Sequence, residues 1–138
     1  MTAPLESRRL RFELRELLLV ALGAVPGSLL RWQSSVHLGP LLGGQAGSDL
    51  LVNVSGSFLL GVLAGPIPRR TSLVLLGGIG FCGSLTTFSG LMLEAARLLQ
   101  GSKPAAAATL LLLSLGLGVP AAWSGLALSR RLFRPRGR

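Results

Sequence analysis

Long stretches of this sequence carry no charge. Leu50–Pro68, Thr71–Leu93 and Pro104–Ser129 contain no Asp, Glu, Lys or Arg. A soluble domain of 138 residues spreads charge over a solvated surface, whereas here 14% of residues are charged against 49% apolar, and the charges sit at the ends and in the joints. A single cysteine, Cys82, excludes an intrachain disulfide. The only histidine, His37, falls in a loop without companion metal ligands. No soluble domain, low-complexity linker or internal repeat stands out, so any site must be built by the apolar segments themselves.

Each charge-free run can cross a hydrocarbon core of about 30 Å, which takes roughly 20 helical residues. A shorter run, Leu17–Leu30, is ended by Arg31 and spans only if the helix continues through Leu14–Glu16 and Arg31–Ser35. The expected fold class is therefore an all-α membrane protein of four transmembrane helices in one domain over residues 1–138. The helices are placed at about 14–35, 48–65, 71–99 and 105–132, with a basic tail over 133–138. Pro66 and Pro68 stop the second helix, and Gly101–Pro104 separates the third from the fourth. A cleaved signal peptide is the competing reading of the amino terminus; Glu13, Glu16 and the lack of a small-x-small cleavage site oppose it.

The net charge of +9 would suit nucleic acid, but the arginines lie beside apolar spans rather than on one face of a soluble fold. Topology and anionic lipid account for them, and no nucleic-acid partner is expected. With four spans, both termini and the Arg69–Arg70 joint share one side and hold every basic residue except Arg31, Arg97 and Lys103. The positive-inside rule then predicts cytoplasmic termini and a multi-pass protein of the cell membrane.

Gly78, Gly80 and Gly83 fit the dinucleotide pattern GxGxxG, but a Rossmann unit needs a strand, a turn, a helix and an acidic ribose partner about 20 residues on. Glu94 is too near to serve. Inside a membrane the segment GGIGFCGSLTTF (Gly77–Phe88) has another meaning: glycines and adjacent threonines sustain a helix poorly and release backbone carbonyls, which must find partners. The third helix is expected to break there. Broken helices at mid-bilayer aim freed carbonyls at a hard cation and half-helix amino termini at an anion; a plain packing kink is the alternative.

Asn53, with Ser55, Gly56 and Ser57 around it, puts polar groups into an apolar span, facing either a pore or a neighbouring helix by a simple hydrogen bond. Phe88 follows the break, and the positive edge of its ring can face a small anion. Arg31 and Glu94 either line a vestibule or snorkel to the interface. Gly23 with Gly27, and Gly61 with Gly65, are spaced for close helix packing.

The segments GAVPGSLLRW, LLVNVSGSFLLG and GGIGFCGSLTTFSGLMLE, in this order over nearly the whole chain, resemble the CrcB/Fluc fluoride channel family. The resemblance implies no enzyme activity. It implies a passive fluoride exporter that confers fluoride resistance, built as an antiparallel dimer with two pores. It further implies a structural sodium ion held by the backbone carbonyls of Gly83 and Thr86, and a fluoride path past Asn53, Phe88, Ser89 and Arg31, with Ser114 a weaker candidate on the fourth helix.

Two positions depart from the family's TTFSTF pattern: Gly90 replaces a threonine and Leu91 a phenylalanine, and the chain has no tyrosine for the fourth helix. Homodimers of dual topology show weak charge bias, whereas the bias here is strong. A heterodimer with a second, similar subunit is therefore expected, with a homodimer as the other possibility. Two further readings compete. A proton-coupled antiporter of the small multidrug-resistance type needs a carboxylate deep in the first helix, where Glu13 and Glu16 lie too near the basic end. A structural membrane subunit would use the glycines for packing alone.

Overall fold

A computed structural model describes residues 3–67 and 70–133 of the chain, and the described residues form helices joined by short turns. Helix α1 covers Ala3–His37, a short 3-10 turn follows at Gly39–Leu41, and α2 covers Gln45–Leu63. The third segment is composite: α3 (Arg70–Leu73), a π-helical stretch (Val74–Cys82), α4 (Gly83–Leu85), then α5 (Phe88–Gln100). Helix α6 covers Pro104–Leu132. Pro68, Arg69 and the tail from Arg134 lie outside the described residues.

Helix α1 begins well before the expected Leu14. Its first turns are rich in Arg, Glu and Leu, which lose little rotamer freedom in a helix, and Arg9 pairs with Glu13 one turn on at 3.0 Å. Between α1 and α2 the chain reverses at Gly43 (φ +80°) and Gly44 (φ +108°), conformations in which a Cβ would be strained. Helix α2 starts three residues earlier than expected, at Gln45, whose exposed side chain donates one turn on to Asp49 Oδ1 at 3.0 Å.

Two close helix contacts hold the bundle, and glycines make both. On α2, a Cβ at Gly61 would collide with the Ala122 carbonyl, and on α6 a Cβ at Gly125 would collide with the Phe58 carbonyl. On α1, a Cβ at Gly23 would strike the Leu76 carbonyl, while one at Gly80 would stand 2.5 Å from the Val20 carbonyl. Backbones can approach this closely only where side chains are missing, and dispersion and packing then bind helices for which lipid supplies no hydrophobic drive.

The distribution of polarity is the reverse of a soluble bundle. Leu112, Leu115, Val119 and Trp123 of α6 point outward, whereas Ser48, Asp49 and Ser129 are buried. Gln45–Leu63, Thr71–Gln100 and Pro104–Leu132 are each long and apolar enough to cross a membrane. An apolar exterior over such helices is the surface of a multi-pass membrane protein.

Candidate functional site

Chain order and hydrogen bonding locate the interruption of the third segment more narrowly than the glycines suggest. Gly77, Gly78 and Gly80 remain helical within the widened π-turns, and Gly83 N–H donates back to Gly78 O, five residues earlier. The backbone leaves the helix only at Thr86 (φ −75°, ψ 152°) and Thr87 (φ −141°, ψ 118°). Both are β-branched residues that suit extended backbone.

Asn53 holds this extended pair in place. Its Oδ1 accepts from Thr87 N–H at 2.7 Å, and its Nδ2 donates to the Thr87 carbonyl at 2.9 Å. One carboxamide thus bonds both backbone groups of the residue at the break, whose N–H has no helical acceptor. The second N–H of Asn53 Nδ2 is left for another acceptor. Thr87 in turn caps α5: its Oγ1 accepts from Gly90 N–H at 3.0 Å.

These bonds redirect two donors that a continuous helix would use. In a continuous helix Thr87 N–H would bond to Gly83 O, and Gly90 N–H to Thr86 O. The first donor has gone to Asn53 and the second to Thr87 Oγ1. The carbonyls of Gly83 and Thr86 lose their α-helical donors in this way, and those of Ser84 and Leu85, whose donors would be Phe88 and Ser89 N–H across the same break, make no such bond either. Thr86 itself turns back, with its N–H and its Oγ1 both donating to Cys82 O at 2.9 Å, and its methyl group fits against Gly56, where a Cβ would collide with it.

Two grooves adjoin at Thr87. The outer one, about 310 Å³, is lined by Arg31, Gln45, Asp49, Ser89 and Gly90 among others. The inner one, about 290 Å³, is lined by Asn53, Ser57, Thr86, Phe88, Leu91 and Ser114 among others. Arg31 and Ser89 thus fall in one groove, and Asn53, Phe88 and Ser114 in the next. Phe88 is 74% exposed, and the Ser114 hydroxyl is buried without a hydrogen-bond partner. Ser55 is exposed on α2 and stands apart from both grooves. Glu94 also stays out of them and pairs with Arg97 at 3.5 Å, and His37 is exposed.

Asp49 is the residue that sequence reasoning passed over. It lies one position before a charge-free run, where a carboxylate reads as an ordinary helix-start charge at the interface, yet it is only 2% exposed. The available signal was its spacing: Asp49 precedes Asn53 by four residues and shares its face of α2. Its Oδ2 has no hydrogen-bond partner and crowds Gly90, where a Cβ would collide with it. Glycine at position 90, where the family pattern has threonine, leaves room for the carboxylate in this position.

Two polar grooves joined at a capped half-helix, inside an apolar helical exterior, define a multi-pass membrane protein with a polar site among its helices. The chain belongs to the CrcB family: the profile described as CrcB-like protein, Camphor Resistance (CrcB), matches residues 18–126. It is similar to the fluoride-specific ion channel FluC 2 of Parasynechococcus marenigrum strain WH8102, with 56% identity over 91% of this chain and 89% of the relative. It is also similar to FluC 2 of Synechococcus sp. strain CC9902, with 53% identity over 92% and 89%. A second protein of strain WH8102, fluoride-specific ion channel FluC 1, shares 38% identity over 82% and 92%.

Proposed function

We propose that this chain is a subunit of a fluoride-selective channel that lets fluoride leave the cell passively across the plasma membrane, lowering its cytoplasmic level and conferring resistance. The observation that carries the reading is the convergence of Arg31, Ser89, Asn53, Phe88 and Ser114 on two grooves joined at Thr87. The names of the relatives supply the ion. Fluoride is small and strongly hydrated, so a path for it must replace water with several donors. Arg31 attracts the anion at the entrance, and the Ser89 hydroxyl, the spare N–H of Asn53 Nδ2 and the Ser114 hydroxyl are donors along the way. The Phe88 ring edge adds a weakly positive, dry wall.

The reading takes four spans. Beyond the three long apolar helices, α1 crosses as well, because its Gly23 and Gly27 pack against the backbone around Leu76 and Phe81, inside a spanning segment. Two such subunits meet in antiparallel fashion. The carbonyls of Gly83 and Thr86 fit a sodium ion, since a hard cation prefers oxygen ligands and these two lack their helical donors. Bound there, the ion would supply a fixed positive field, and the protein's own part is to hold the carbonyls clear of the helix through Asn53 and Thr87.

Strong charge asymmetry favours a single insertion direction and hence a second, similar subunit inserted the other way. One cyanobacterial strain has both a FluC 1 and a FluC 2 among the relatives, which supports a paired arrangement.

Fluoride efflux from liposomes tests the proposal. The chain together with its second subunit is expected to release fluoride rapidly, without need of a proton gradient, and the chain alone slowly. Full-rate efflux from the chain alone would overturn the heterodimer, and efflux that requires a proton gradient would favour an antiporter.

A further inference from the structure

The carboxylate of Asp49 has no role in the path described above, although it lines the outer groove. It is buried, its Oδ1 accepts from Gln45 at 3.0 Å, and its Oδ2 is unpartnered. It shares the outer groove with Arg31 and Ser89, so an anion moving from Arg31 toward Asn53 has to pass it. A buried polar atom without a partner calls for an explanation, and packing does not provide one, because Gly90 has given up its side chain to make room for this oxygen.

The geometry points to Asp49 as a partial electrostatic plug: the carboxylate over Gly90 slows anions in this chain's own groove without closing it. The inference rests on the fluoride reading above. A negative charge a few ångströms from the track disfavours an anion by about a thousandfold at the effective dielectric of a protein, and Arg31 across the groove offsets part of that. Removing the charge should therefore raise flux by at least roughly tenfold. Asp49→Asn is nearly isosteric: it keeps an oxygen to accept from Gln45 and turns Oδ2 into a donor aimed at the groove.

The test is fluoride efflux, followed with a fluoride electrode, from liposomes containing the full chain alone. Wild type, Asp49→Asn, Asp49→Thr and Glu13→Gln are compared. Both Asp49 variants are expected to release fluoride at least tenfold faster than wild type. Glu13→Gln, which removes the same charge at an exposed position on α1 far from the groove, should match wild type. If wild type conducts and neither Asp49 variant is faster, the plug is overturned and the fluoride reading stands. If Glu13→Gln produces an equal rise, a plug local to the groove is overturned in favour of a general surface-charge effect. If no variant releases fluoride, the plug is overturned, and the fluoride reading fails with it when the chain paired with its second subunit is equally inactive.

Discussion

Asn53→Ala removes the two hydrogen bonds that keep Thr87 out of the helix. The side chain serves Thr87 N–H at 2.7 Å and the Thr87 carbonyl at 2.9 Å, and the smaller residue can replace neither. A buried polar group left without its partner costs about 1–3 kcal/mol, so with the backbone held in place the variant loses roughly 2–6 kcal/mol. One group can recover. Thr87 N–H can turn back to the Gly83 carbonyl, its α-helical acceptor, which closes the interruption and reduces the loss to roughly 1–3 kcal/mol. Either way Gly83 or Thr87 changes partner, so fluoride flux should fall sharply along with any dependence on sodium. Asn53→Asp is the comparator, because it retains an acceptor for Thr87 N–H and loses only the donor. Unfolding in mixed micelles titrated with a denaturing detergent gives the stabilities, and liposome efflux gives the flux. The reasoning fails if Asn53→Ala unfolds within about 0.5 kcal/mol of wild type, the range of an inconsequential surface change.

Three further outcomes follow from the same geometry. Thr87→Val keeps the shape and extended preference of threonine but deletes the cap on Gly90 N–H, so it should cost about 0.5–2 kcal/mol and speed amide exchange at Gly90. Gly61→Leu drives a side chain into the Ala122 carbonyl and should cost about 1–3 kcal/mol or more, whereas Gly116→Leu, with open space around it, should leave the melting temperature unchanged. Phe88→Ala removes a ring that is 74% exposed, so stability should stay within about 0.5 kcal/mol while fluoride efflux drops at least tenfold.

The spans were legible because lipid imposes one simple requirement, a long charge-free run, and α2 and α6 fall within a few residues of the runs read from the sequence. The start of α1 was less legible, since its first turns are charged and their helicity comes from residue propensity and pairs such as Arg9 with Glu13. The interruption was read over Gly77–Phe88, and the backbone leaves the helix only at its last part. Gly77, Gly78 and Gly80 look like breakers in sequence, but π-type bonding and the close approach of α1 at Gly80 keep that stretch helical. Thr86 and Thr87 depart because Asn53, over thirty residues earlier, offers Thr87 a better pair of bonds than the helix does. Asp49 was missed for a similar reason. Its burial goes with the missing side chain at Gly90 in a different helix, and the one local sign of it is the four-residue spacing from Asn53 on the same face of α2.

The central claim is that fluoride crosses the membrane passively through an assembly containing this chain. The most direct measurement is efflux of fluoride and of chloride, each from vesicles holding the chain co-purified with its second subunit, with the pH gradient present and then collapsed. The account predicts rapid loss of fluoride that is indifferent to the pH gradient, with chloride retained. Retention of fluoride, or equal loss of the two anions, would contradict it.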